Sequence, residues 1–149
     1  MCLARQLRGR AVTVITSNLA VYEELGSDPA IQLILLGGVV RRNYRSLVGF
    51  LTEDALRQVH ATTLFLGASG VQPDGYVLDT THVEVPIKRA MIAAAGRVVL
   101  LADVHKFPGS GYARVCSPTE LDLLVTNDAA CPSTVTVFRD SEVEVVTCG

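Results

Sequence analysis

The 149-residue chain is 49% apolar and 19% charged, with 13 Lys and Arg against 15 Asp and Glu for a net charge of −2. That length suits one domain with a sizeable core, and the charge balance excludes the strongly basic face of a module that grips nucleic acid by itself. No apolar run approaches the roughly 18 residues of a membrane span, and the opening MCLARQLRGR lacks the apolar stretch of a signal peptide, so a cytoplasmic setting without membrane contact is expected.

In chain order, Leu3 and Leu7 fall at helical spacing and read as the back half of a helix. A doubly wound domain starts with a strand before that helix, so the chain is expected to be truncated at its N-terminus. AVTVIT (11–16) is a β-branched strand. NLAVYEELG (18–26) is a helix that opens on a capping Asn18 and stops at Gly26. IQLILLGG (31–38) is a second strand, and LTEDALRQVH (51–60) a helix starting from Thr52. TLFLGASG (63–70) is a third strand. THVEVPIKRAMIAAAG (81–96) is the clearest helix, with Thr81 as N-cap, Pro86 tolerable near its first turn and Gly96 as its end. RVVLLAD (97–103), LDLLVTND (121–128) and EVEVVT (142–147) are further strands. Continuous apolar strands alternating with helices predict an α/β domain with a Rossmann-like, mostly parallel sheet and helices on both faces, spanning residues 1–149 as one domain.

Cys2, Cys116, Cys131 and Cys148 form no C-x-x-C pair and have no histidine cluster beside them. They read as reduced, incidental thiols, and neither a metal nor a cofactor is expected.

In open parallel sheets, ligands bind beyond the carboxyl ends of the strands. Those ends carry Thr16-Ser17-Asn18, Gly37-Gly38, Gly67-Ala68-Ser69-Gly70, Asp103 with Lys106, and Asn127-Asp128. Glycine turns let backbone N–H groups approach a phosphate, and helix N-termini favour negative charge. Arg41 and Lys106 supply cations for it, while Asn18, Glu84 and Asp103 suit sugar hydroxyls. Each residue also has a plainer reading. Asn18 caps its helix, and RRNYR (41–45) is a solvated loop. Asp128 is ordinary turn chemistry, and His60, His82 and His105 are surface or packing residues. At 100° per residue, Glu84, Lys88, Met91 and Ala95 share one sector, with Met91 and Ala95 facing the sheet. Glu84 and Lys88 are then either an i,i+4 salt bridge or a pair of ligand contacts.

VTVITSNLAV, LILLGGVVRRNYRSLVG, TLFLGASGVQPDGY, EVPIKRAMIAAAGRVVLLADVHKF and LLVTND follow one another along nearly the whole chain. Together they resemble the effector-sensing C-terminal domain of DeoR-type bacterial transcriptional repressors. The spacing from Gly37-Gly38 through Arg41 to Ser46 and Gly49 carries the likeness, as does Glu84-x-x-x-Lys88 followed by Asp103-x-x-Lys106. The resemblance implies the fold shared with ribose-5-phosphate isomerase, glucosamine-6-phosphate deaminase and CoA transferases. It also implies a phosphorylated sugar or related metabolite as effector, and a homo-oligomer. Operator DNA would be gripped by an N-terminal winged helix-turn-helix that these residues do not include. The family's first sensor strand, with its Gly-Thr-Thr type phosphate loop, is likewise expected before Met1. Val104 and His105 stand where the family usually has small polar residues, a change that bears on effector choice.

The expected site is therefore Asn18, Gly37, Gly38, Arg41, Ser69, Gly70, Glu84, Lys88, Asp103 and Lys106, with no catalytic residue. A sugar-phosphate isomerase on the same fold is the alternative, in which Glu84, Asp103 and Lys106 supply a carboxylate base and a cation to steady the enediolate. Against it, ribose-5-phosphate isomerases carry a glycine-rich lysine loop where this chain reads VLDTTHVEVPIKR. A dimerisation remnant that binds no ligand is the third reading.

Overall fold

Strand and helix alternate as the apolar pattern dictates, in a computed structural model that describes residues 2–127 and 130–149. Contacts divide the chain into two units, Met1–Val59 and His60–Gly149.

The first unit runs α1 (Cys2–Gln6), β1 (Val12–Thr16), α2 (Leu19–Leu25), β2 (Ile31–Leu35), β3 (Val39–Arg41), β4 (Ser46–Val48) and α3 (Phe50–Leu56). β1 and β2 pair in parallel from Val12↔Ile31 to Thr16↔Leu35. Ala4, Leu25 and Ile31 are buried together, with Leu7, Val14, Val21 and Leu33 packed on them. Glu24 draws Arg5 and Arg8 onto α2. β3 and β4 form an antiparallel hairpin that no strand expectation covered. It is tied to the end of β1 by the Asn18↔Ser46 bridge and by Leu47 N–H donating to the Ser17 carbonyl. The helix expected from Thr52 starts earlier, at Phe50 after Gly49. Thr52 is fully buried instead, and its hydroxyl donates to the Gly37 carbonyl at 2.6 Å.

The second unit runs β5 (Leu64–Gly67), β6 (Gly70–Val71), β7 (Val77–Asp79), α4 (Glu84–Ala93), β8 (Val98–Leu101), a 3-10 turn (Val104–Lys106), β9 (Ala113–Cys116), a second 3-10 turn (Pro118–Glu120), β10 (Leu123–Asn127), α5 (Pro132–Asp140) and β11 (Glu144–Cys148). Four strands form a parallel sheet in the order β11-β10-β8-β5. β6, β7 and β9 form a separate antiparallel sheet. Leu66, Leu100, Leu124 and Phe138 anchor the core, each at most 2% exposed. The fold is thus the mixed, Rossmann-like α/β class that the alternation predicts.

Several details differ from the sequence expectation. TLFLGASG is not one strand, because β5 stops at Gly67 and the chain turns into β6 at Gly70. α5 was not expected, since PSTVTVFRD is rich in β-branched residues. It forms because Thr134, Val135 and Phe138 fall on one buried face and Pro132 occupies the first turn. Thr81 does not cap α4, whose N-cap is Val83 without a side-chain bond. The Thr81 N–H is bound instead by the Asp79 carboxylate at 2.9 Å, an Asx-type turn that delays the helix. Ala95 packs on the core as expected, but the buried residues of α4 are Val85 and Ile87, and Met91 is only half-buried.

Candidate functional site

In the first unit, the carboxyl ends of β1 and β2 converge on the hairpin. Asn18 Oδ1 accepts from the N–H groups of Ala20 and Val21 at 2.8 and 3.2 Å, so it caps α2. Asn18 also bridges to Ser46, and Ser46 pairs with Arg41, which puts Asn18 and Arg41 on either side of one strand residue. The Arg41 guanidinium lies 4.0 Å from the Tyr44 ring centroid. A shallow open recess there is lined by Arg41, Arg42, Asn43 and Tyr44. Arg45 takes a left-handed conformation (φ 53°) at the turn and pairs with Glu23.

The two glycines after β2 differ in kind. Gly38 has φ +151°, and a Cβ there would lie 2.1 Å from Thr52 Oγ1. Its smallness serves packing against α3. A Cβ on Gly37 would meet nothing within 4 Å, so this glycine faces open space.

The same division recurs in the second unit. A Cβ on Gly67, at the end of β5, would also meet nothing within 4 Å, whereas one on Gly70 would lie 2.6 Å from the main chain of Gly109 and Ser110. A Cβ on Gly109 would approach the Ser69 carbonyl at 2.6 Å and Lys106 Cα at 3.1 Å. Ser69, Gly70 and Lys106 are therefore brought together around Gly109. Asp103 follows β8, whose Leu101 is register partner to Gly67, so it stands beside the same strand end. Its carboxylate is exposed and caps the 3-10 turn by accepting from His105 N–H at 2.9 Å. The Lys106 N–H returns to the Asp103 carbonyl at 2.9 Å, and Val104 N–H donates to Asn127 Oδ1 at 3.2 Å. Asp128 lies outside the described residues.

Glu84 sits in the first turn of α4, where a carboxylate suits the positive end of the helix dipole. Lys88 reaches Asp79, a residue that strand-end reasoning passed over because β7 was not expected. Lys88 Nζ donates to Asp79 Oδ2 at 2.6 Å and to the Gly67 carbonyl at 2.9 Å. Ser69 Oγ lies 3.5 Å from Asp79 Oδ1 and 3.4 Å from Thr80 Oγ1. Burial pushes the Asp79 carboxyl up, but the hydrogen bond and charge of Lys88, with the Thr81 N–H, outweigh it and hold the group below the usual carboxylate range. The one sequence signal for Asp79 was its spacing of nine from Lys88, which means nothing until β7 and α4 are placed.

Among the described residues, no group of three or more His, Cys, Asp or Glu is arranged to hold a metal. No helix is long and apolar enough to cross a membrane. Cys116, Cys131 and Cys148 are free thiols.

The chain is 30% identical over 146 residues to the HTH-type transcriptional regulator GolR of Listeria innocua, covering 97% of this chain and 58% of that protein. It is 29% identical over 135 residues to the glycerol-3-phosphate regulon repressor of Escherichia coli, covering 91% and 54%. It is 28% identical over 126 residues to the L-fucose operon activator of Escherichia coli, covering 85% and 52%. The chain thus spans about half the length of these curated relatives. The family model of the DeoR C-terminal sensor domain matches residues 1–128, and the chain belongs to that family of transcriptional-regulator sensor domains.

Proposed function

We propose that the chain senses a phosphorylated sugar or related metabolite and leaves it chemically intact. The observation that carries this reading is the strand-end cluster of the second unit. There Gly67 opens onto space while Ser69, Gly70, Lys88, Asp103 and Lys106 gather at the ends of β5 and β8. Open glycine turns admit a phosphate to backbone donors, and the lysines add charge-assisted bonds. Asp103 and Glu84 offer carboxylates to sugar hydroxyls. In the first unit, Gly37 is the open glycine and Arg41 the cation of the same chemistry, with Gly38 and Asn18 shaping the turns beside them. Two relatives are named for a glycerol-3-phosphate regulon and an L-fucose operon, which favours a small sugar-related metabolite, phosphorylated in the first of the two names.

Occupancy of this domain would change the grip of an N-terminal helix-turn-helix on operator DNA, in a cytoplasmic homo-oligomer with residues 1–149 as the sensing domain. Calorimetric titration tests the reading, with glycerol 3-phosphate, fructose 1-phosphate and glucose 6-phosphate set against glycerol, fructose and glucose. Binding confined to phosphorylated members, with the ligand recovered unchanged, is expected. No binding by any of them ends the proposal, and turnover at enzyme-like rates replaces it with the isomerase reading.

A further inference from the structure

We infer that Asp79 is a positioning residue of the effector site, acting through Lys88 on the Gly67–Gly70 turn. The inference rests on the sensing function proposed above and adds a residue to it.

Asp79 is only 4% exposed and ends β7, a strand of the antiparallel sheet. Its two oxygens serve different purposes. Oδ2 takes the Lys88 ammonium, while Oδ1 takes the Thr81 N–H and faces the Ser69 hydroxyl. An ammonium has three N–H donors. One goes to Asp79 and one to the Gly67 carbonyl, the last residue of β5. A carboxylate that merely tied β7 to α4 would need no such extension. Here the pair reaches across to the strand end that faces open space, and ties up the Gly67 carbonyl. The Asp79 carbonyl in turn accepts from Tyr112 N–H at 3.1 Å, and a Cβ on Gly111 would lie 3.1 Å from that carbonyl oxygen. One residue therefore fastens both the turn after β5 and the loop that leads away from Lys106.

The partly buried Lys88 ammonium has the buried Asp79 carboxylate as its counter-ion, and removing either partner leaves the other charge uncompensated. Without Asp79, the ammonium would be drawn toward solvent, the Gly67 carbonyl would lose its donor and Ser69 would lose its neighbour. The turn that offers backbone donors to a phosphate would then sample several conformations.

The test compares wild type, Asp79→Asn, Lys88→Gln and the double variant. The double removes both charges, so it folds even if a single variant does not. Affinity for glycerol 3-phosphate and fructose 1-phosphate is measured well below each melting temperature, where all the protein is folded. Amide exchange at Ser69, whose N–H donates to the Leu78 carbonyl at 3.1 Å, is followed without ligand. Asp79→Asn is expected to weaken the phosphorylated probes by about tenfold, the scale of one charge-assisted bond, and to speed Ser69 exchange. The double is expected to bind no worse than Lys88→Gln, since Asp79 acts through that lysine. Unchanged affinity and exchange in Asp79→Asn, or a double several-fold weaker than Lys88→Gln, overturns the inference. If wild type binds no probe, the sensing function fails, and Ser69 exchange in the ligand-free variants still decides whether Asp79 fixes the turn.

Discussion

Gly70 and Gly109 meet main chain to main chain. A Cβ on Gly109 would stand 2.5 Å from Gly70 Cα, and one on Gly70 would stand 2.6 Å from the Gly109 carbonyl carbon. The contact seats the loop after Lys106 on the turn after β5. Neither neighbour is a side chain that can swing away, so Gly109→Ala should destabilise the second unit by about 1–3 kcal/mol, as overpacking does. A urea midpoint that does not move in Gly109→Ala would mean that the loop is not held there.

Gly37 and Gly38 should part company under the same substitution. Gly38→Ala sets a methyl 2.1 Å from Thr52 Oγ1 at φ +151°, and threatens the 2.6 Å bond from Thr52 to the Gly37 carbonyl. It should cost stability at least as heavily as Gly109→Ala. Gly37→Ala meets nothing within 4 Å and should leave stability within about 0.5 kcal/mol. If Gly37 is kept small for a ligand, affinity for the phosphorylated probes should fall in Gly37→Ala while its melting curve stays put. An unchanged affinity removes Gly37 from the site.

The sequence made the parallel sheet legible because period and punctuation agree. A β-branched run marks β1, apolar runs ending in glycine, asparagine or aspartate mark β2, β5, β8 and β10, and Asn18 caps α2 as its residue type predicts. Burial was less legible. Val98, Val99 and Leu100 of the inner strand β8 are all buried, yet in β5 the buried Leu66 (2% exposed) follows Phe65 at 46%. A run of apolar residues does not say which strand will be central. The antiparallel pieces were invisible for another reason. β3, β4, β6 and β7 are two or three residues long, too short to show a period. That shortness hid Asp79, and with it the true partner of Lys88. Strand-end reasoning did place Ser69 just past β5 and Asp103 and Lys106 just past β8, where the parallel sheet sets them, whereas Gly70 opens β6 of the antiparallel sheet.

Acid should act on the second unit through Asp79. Its folded carboxyl is held below the ordinary value of 3.8 by Lys88 and the Thr81 N–H, against the upward push of burial. A lowered folded value means that the pair stabilises the unit above the unfolded value near 4. That stabilisation is lost as pH falls through the folded value. Asp79→Asn should therefore be less stable than wild type at neutral pH, and the gap should close below about pH 4. Parallel stability curves down to pH 2 would show that Asp79 does not titrate on folding.

Cys131 and Cys116 should differ sharply in reactivity. Cys131 precedes α5, with its sulfur 3.2 Å from Ser133 Oγ. The Ser133 hydroxyl and the Thr134 N–H lower its thiol to about 7. Burial pushes the Cys116 thiol up to about 12. Since the thiolate is the nucleophile, iodoacetamide should label Cys131 at a rate that rises through pH 7 and levels off. Cys116 should stay unlabelled until the unit unfolds. Ser133→Ala should move the Cys131 midpoint upward, and a midpoint left in place would discount the hydroxyl.

Arg41 and Lys106 are the cations most exposed to test by truncation, because neither anchors a core. Arg41 stacks on the exposed Tyr44 at 4.0 Å, a contact worth about 0.5–1 kcal/mol. Lys106 uses its backbone N–H to close the turn on the Asp103 carbonyl, a bond that Ala preserves. Lys106→Ala and Arg41→Ala should each leave the melting temperature within a few degrees. If either side chain holds a phosphate in its own unit, its removal should weaken glycerol 3-phosphate or fructose 1-phosphate by about tenfold. Glycerol and fructose should respond alike in variants and wild type, since the lost bond is to the phosphate. Unchanged affinity for phosphorylated probes in Lys106→Ala would leave Lys88 as the charge of the second unit's cluster to explain any preference for phosphate, and unchanged affinity in Arg41→Ala would remove Arg41 from the first unit's candidate residues.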